Sequence, residues 1–182
     1  MQSDAFTLIL VRHAEAAAVS DAVRSDAERP LTARGMEDAS AVGRFLARID
    51  RPPALILTSP LYRAIQTGEL LARAYDSSLP RIVCQALQPG FRNEDFIDEL
   101  VALRRVGHDS VLAVGHQPDV GVLINFLVAA SAPTSVAMSP GTAARIVLRL
   151  SGGRPEGVLQ WIFPPSAARA VLSSTSQRCQ EP

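Results

Sequence analysis

The sequence predicts an α/β fold: one three-layer domain with a mostly parallel central sheet and helices on both faces. Three observations lead there. Short, almost continuously apolar runs (FTLILV, ALILT, SVLAV) read as strands buried on both sides. They alternate with segments whose apolar residues recur every three or four positions, as helices covering a sheet require. Proline and helix-capping residues follow two of these runs directly, so the chain passes from strand to helix with little loop between.

The elements follow in order. FTLILV (residues 6–11) is the first strand, and residues 18–30 form a polar loop. LTARGMEDASAVGRFLARI is an amphipathic helix, with Thr32 as N-cap and Ala39, Val42, Phe45, Leu46 and Ile49 on one face. PPALILTSP supplies a second strand, and PLYRAIQTGELLARAY a helix that begins with Ser59 as N-cap and Pro60 in its first position. RIVC is a weak third strand, QALQPGFRNED a loop, and FIDELVALRR a helix that stops before Gly107. SVLAVGHQP repeats the strand-to-loop theme, and Pro118 opens a helix over DVGVLINFLVAA. ARIVLRL and VLQWIF are two further strands divided by the turn-rich SGGRPEG.

At 182 residues, 47% hydrophobic and 20% charged, the chain has the size and composition of one domain with a real core. No repeat or linker divides it, so residues 1–182 are read as a single domain whose last stretch, about 173–182, is a disordered tail. The formal charge is zero and no run of one sign occurs, which excludes an electrostatic footprint for nucleic acid or anionic membrane. All 18 basic residues are arginine, which removes Schiff-base and P-loop lysine chemistry and leaves phosphate binding, if present, to arginine. Cys84 and Cys179 match no metal-binding spacing, so a reducing compartment and no structural metal are expected. No apolar run spans a bilayer, and the N-terminus lacks the regions of a secretion signal, so the expected location is the cytoplasm.

Sheets of this kind bind ligands beyond the carboxyl ends of their strands. Reactive residues stand at that end of three strands: Arg12 and His13 after the first, Arg63 one turn into the helix after the second, and His116 after the fourth. A neutral imidazole such as that of His13 is a nucleophile once its other nitrogen is fixed by a hydrogen bond. Two guanidinium forks and a helix start match the oxygens of a tetrahedral phosphoryl group, and His116 adds a donor. Such a cluster can position and neutralise phosphate without a metal. A histidine at a strand end is commonly structural when taken singly; what carries weight is equivalent placement on three strands. His108, at the opposite end of its strand, is read as structural, and Met36 as core or edge.

These residues fall in motifs. LVRHAEA resembles the RHG signature of the histidine phosphatase superfamily, branch 1; SPLYRAIQT resembles its SPxxRxxQT segment and AVGHQP its second-histidine motif, and RPLTARG is similar to its entry to the first helix. The matches run in family order over residues 10 to about 123. Short length and the wording RHAEA, RPLT and SPLYRAIQT are most similar to the SixA-type phosphohistidine phosphatases. The resemblance implies a phosphoglycerate mutase-like fold and no cofactor. It makes His13 a transiently phosphorylated nucleophile in a phosphate pocket of Arg12, Arg63 and His116. The implied partner is a phosphohistidine-bearing protein, a phosphotransfer domain or phosphocarrier.

Two positions depart from the pattern. Ala14 stands where most of the superfamily has glycine. Ala86 stands where many relatives place a glutamate acid, leaving Glu15, Glu94 and Asp95 as substitutes, each with the competing reading of a solvated loop carboxylate. Two other functions stay open: a phosphatase of small phosphomonoesters, which needs a working acid, and a phospholigand-binding module without turnover.

Overall fold

The first apolar run becomes β1 (Ala5–Arg12), near the middle of a six-stranded sheet in the computed structural model. The structure describes residues 5–20, 25–129, 136–150 and 155–178. β1 pairs in parallel with β4 (Ser110–Gly115), which pairs in parallel with β2 (Leu55–Thr58), and β2 with the edge strand β3 (Arg81–Val83). On its other side β1 pairs antiparallel with β5 (Ala143–Arg149), which is followed by β6 (Glu156–Phe163), giving the order β3-β2-β4-β1-β5-β6. The predicted mostly parallel sheet is thus present, with two antiparallel pairings on one flank.

Alternation along β1 divides the core into two layers. Phe6, Leu8 and Leu10 face α3 (Asn93–Arg105) and α4 (Asp119–Val128), packing with Phe96, Leu100, Val120 and Leu123. Ile9 and Val11 face α1 (Ala33–Ile49) and α2 (Tyr62–Tyr75), packing with Val42, Leu46, Ala64 and Leu71. Each such large side chain contributes roughly 1.5–3 kcal/mol by leaving water, so both layers are needed to stabilise a strand this apolar. Thr32 caps α1 as the sequence predicts, accepting the Gly35 N–H at 2.9 Å. Gly35 has a local reason: a Cβ there would lie 2.1 Å from the Glu15 carbonyl oxygen, so only glycine lets α1 start against the segment after β1.

Three expectations need correction. α2 begins at Tyr62 with Leu61 as N-cap, not at Ser59 and Pro60, because Leu61 is extended (φ −74, ψ 137) and the Ser59 hydroxyl is engaged in a turn with Leu61 N–H at 3.3 Å and with His116. α3 starts three residues before the predicted FIDELVALRR, placing Glu94 and Asp95 in its first turn, where carboxylates complement the helix dipole. Finally, α5 (Pro165–Arg178) occupies a segment for which the sequence predicts no element, and it enters the stretch read as a disordered tail. Its apolar periodicity is weak; Pro165 starts it, the fully buried Ala168 packs on the sheet, and Arg169 forms an ion pair with Asp38 of α1. Cys179 and residues 151–154 of the predicted turn lie outside the described residues. Cys84 is a buried free thiol. Among the described residues, no helix is long and apolar enough to cross a membrane.

Candidate active site

The parallel register brings the carboxyl ends of β1, β2 and β4 to one rim. Arg12 pairs with Gly115 at the ends of β1 and β4, and the chain leaves both strands there. His13 is then held from two sides: its N–H donates to the Gly115 carbonyl at 3.0 Å, and its own carbonyl accepts the Gly141 N–H at 3.1 Å. An imidazole at the end of a core strand is therefore anchored by the sheet itself.

The His13 ring has a defined tautomer. Nδ1 lies 2.7 Å from the Ala14 carbonyl oxygen, which can only accept, so Nδ1 carries the hydrogen and Nε2 keeps its lone pair. That lone pair accepts from Arg63 Nε–H at 3.2 Å. Burial, with the charges of Arg63 and Arg12 behind it, pushes the His13 pKa from 6.5 down to about 4, so the ring is neutral at physiological pH.

His116 stacks obliquely against His13, ring centroids 5.1 Å apart. Its Nε2 and the Ser59 hydroxyl are 2.7 Å apart, while Nδ1 is buried with no protein partner among the described residues. With Ser59 donating to Nε2, the ring hydrogen sits on Nδ1 and is available to an oxyanion. Burial, then His13 and Arg63, push the His116 pKa down to about 3. Arg12 donates Nη1 to the Met138 carbonyl at 2.6 Å, and its buried Nε has no protein partner among the described residues. Two unsatisfied donors beside one lone pair form a site that lacks an acceptor, and a phosphoryl group supplies three.

The helix after β2 contributes by its i, i+3, i+4 spacing. Arg63, the second residue of α2, is 5% exposed and delivers its guanidinium to His13. Thr67, one turn later, accepts the Ala14 N–H at 3.1 Å and donates to the Arg63 carbonyl at 2.7 Å, tying the loop after β1 to α2. Gln66 accepts the Leu31 N–H at 2.7 Å and ties the RPLT segment to the same helix.

The structure thus brings Arg12, His13, Arg63 and His116 together. Glu15 accepts the Thr32 hydroxyl at 3.1 Å at the start of α1, and Glu94 faces Arg92 at 3.9 Å with both side chains mostly exposed. Among the described contacts, neither is hydrogen-bonded to the four, and Asp95 is exposed in the same first turn as Glu94. Ala86 packs against the core beside Leu87. The carboxylate that does reach the cluster is Asp26, from a 3₁₀ turn (Asp26–Glu28), with Oδ2 3.0 Å from Arg63 Nη2. Sequence reasoning missed it, because a loop aspartate carries no periodicity; it missed the Ser59 and Thr67 hydroxyl bonds for the same reason, although the SPxxRxxQT wording contained both.

Comparison with known proteins identifies the family and the fold. Residues 8–89 match the model of the histidine phosphatase superfamily (branch 1). An uncharacterized protein of Picosynechococcus sp. is 36% identical over 114 residues, covering 63% of this chain and 68% of the relative. The structure of the protein histidine phosphatase SixA complexed with tungstate superposes with a TM-score of 0.78 at 27% identity, covering 89% of this chain and 99% of that one. A protein from Nakamurella multipartitia described as a phosphohistidine phosphatase SixA gives 0.71 at 25% identity, covering 88% and 96%. The chain belongs to branch 1 of the histidine phosphatase superfamily, has the SixA-type form of its fold, and is a phosphatase.

Proposed function

We propose that this phosphatase removes the phosphoryl group from phosphohistidine on a phosphotransfer or phosphocarrier protein of a cytoplasmic signalling system, without a metal, through a phosphorylated His13. The observation that carries the reading is the His13 tautomer: Nδ1–H is locked on the Ala14 carbonyl, and Nε2 presents its lone pair among Arg63, Arg12 and His116.

In the first step the Nε2 lone pair forms a bond to phosphorus as the P–N bond to the substrate imidazole breaks, with nucleophile and leaving nitrogen in line. The leaving imidazole keeps the bonding pair and departs neutral, because its far nitrogen already carries a proton. The developing charge falls on three equatorial oxygens, which Arg63, Arg12 and His116 Nδ1–H are placed to receive. In the second step water attacks phosphorus, Nε2 recovers its lone pair, and the water's proton leaves with the phosphate.

Ala86 supports the choice of substrate. An alkyl ester needs an acid to protonate its departing oxygen, whereas a protonated imidazole needs none. Brief reaction with radiolabelled phosphohistidine protein, quenched in alkali, should leave acid-labile label on His13. Label on serine, aspartate or Cys84, or full activity in His13→Ala, would overturn the proposal.

A further inference from the structure

We propose that Asp26 is a positioning residue that presents Arg63 to the transferring phosphoryl group, an inference that rests on the phosphatase reading above. A guanidinium offers two edges, each able to hold two oxygens. Asp26 takes the outer edge: Arg63 Nη1 donates to its backbone carbonyl at 2.7 Å and Nη2 to its Oδ2 at 3.0 Å. The inner edge, made of Nε–H and the second hydrogen of Nη2, faces His13, with Nε–H on the Nε2 lone pair at 3.2 Å. A phosphorus atom attacked by that lone pair must enter between the two rings and the inner edge. Asp26 thus holds the arginine from behind and leaves the working edge open.

Asp26 is itself held. Arg29 Nη1 donates to its Oδ1 at 2.9 Å, and Arg29 Nε donates to the Ala17 carbonyl at 2.5 Å. The following residues are tied to α2 through Leu31 N–H and Gln66 Oε1, one turn beyond Arg63. Asp26 and Arg63 are therefore two ends of one frame, which gives a long, flexible side chain a single orientation. The hydrogen bond from Arg29, then that from Arg63, keeps the Asp26 carboxyl below its usual range, so it is ionised wherever the enzyme works. A rival reading makes Asp26 a competitor that blocks phosphate from Arg63. The edge it occupies argues against that, since it lies away from the nucleophile. A carboxylate here opposes anion binding through its charge while fixing the arginine for the transition state, so its removal should act on kcat more than on KM.

The test uses the full chain and phosphohistidine protein as substrate. Asp26→Ala should lower kcat by about tenfold to a hundredfold with KM within about twofold, as a displaced transition-state donor does. Asp26→Asn keeps an oxygen for Nη2 and should restore most of kcat. In an Arg63→Ala background the same Asp26→Ala change should alter kcat by less than about twofold, because its effect passes through the arginine. The Asp26 side chain is 57% exposed, so the variants should fold, which thermal unfolding checks. If the wild-type chain turns over no phosphorylated substrate, the phosphatase reading fails. The coupling is then read as vanadate affinity by calorimetry, which Asp26→Ala should weaken in the wild-type but not in the Arg63→Ala background. Unchanged kcat and vanadate affinity in Asp26→Ala, equal losses in both backgrounds, or a faster and tighter-binding variant would each overturn the proposal.

Discussion

Arg63 Nε–H and the Nε2 lone pair of His13 face one another across 3.2 Å, joining the start of α2 to the end of β1. The bond sets the neutral His13 ring beside a guanidinium cation whose planar fork fixes the direction of approach. In the proposed reaction the same N–H turns to a phosphoryl oxygen while the lone pair turns to phosphorus.

Loss of that cation should be severe. Arg63→Ala should lower kcat by about 10²-fold or more, the cost of removing one preorganised donor. Arg63→Lys should recover little, because an ammonium cannot bridge Asp26 and His13 as the planar fork does. Steady-state turnover of phosphohistidine protein measures both, and near wild-type turnover in Arg63→Lys would show that charge alone suffices.

Acid should unfold the protein partly through its two buried rings. In the unfolded chain both histidines titrate near 6.5, whereas the folded values are about 4 for His13 and about 3 for His116. Above 6.5 neither state is protonated and the rings add no pH dependence. As pH falls below 6.5 the unfolded chain takes up protons first, so stability declines down to the folded values. Urea midpoints measured across this window should fall less steeply in His13→Ala than in the wild type, and NMR titration should find the His13 ring neutral at pH 5.5, about one unit below its ordinary value. A ring titrating near 6.5 would contradict its burial.

Thr67 should matter for both stability and rate. Thr67→Ala removes the acceptor of the buried Ala14 N–H, a loss of about 1–3 kcal/mol. It also frees the residue whose carbonyl sets the His13 tautomer, so kcat should drop with it. Thr67→Ser keeps the hydroxyl and should retain most of both. Chemical denaturation and turnover report the two effects, and an alanine variant with wild-type stability would show that water replaces the hydroxyl.

Substrate preference should follow the leaving group. kcat/KM should be much higher for phosphohistidine protein than for a sugar phosphate or phosphoglycerate, with aryl esters of good leaving groups between them. Glu94→Gln and Asp95→Asn should leave phosphohistidine turnover unchanged, since both carboxylates stand at the exposed start of α3. Efficient hydrolysis of an alkyl phosphate that either change abolishes would show that this loop supplies an acid, and the substrate would then be a small phosphomonoester.

The sequence by itself determined the layered fold and its reactive rim. Runs such as FTLILV are too apolar for anything but a buried strand, and a parallel sheet sends the ends of β1, β2 and β4 to the same side, so Arg12, His13, Arg63 and His116 could be assembled from local pattern and topology. Their motifs carried the family as well. α5 was not legible, because its buried residues among those described, Pro165 and Ala168, are too few to make a periodic stripe. Nor were Asp26 behind Arg63, Thr67 under Ala14, or Ser59 against His116. Each is a hydrogen bond between residues 37, 53 or 57 positions apart, and such a bond depends on donor and acceptor meeting within about 3 Å, a distance set by packing and not by any spacing along the chain. Tertiary structure alone decided them, and with them the orientation of the arginine and the tautomers of the two rings.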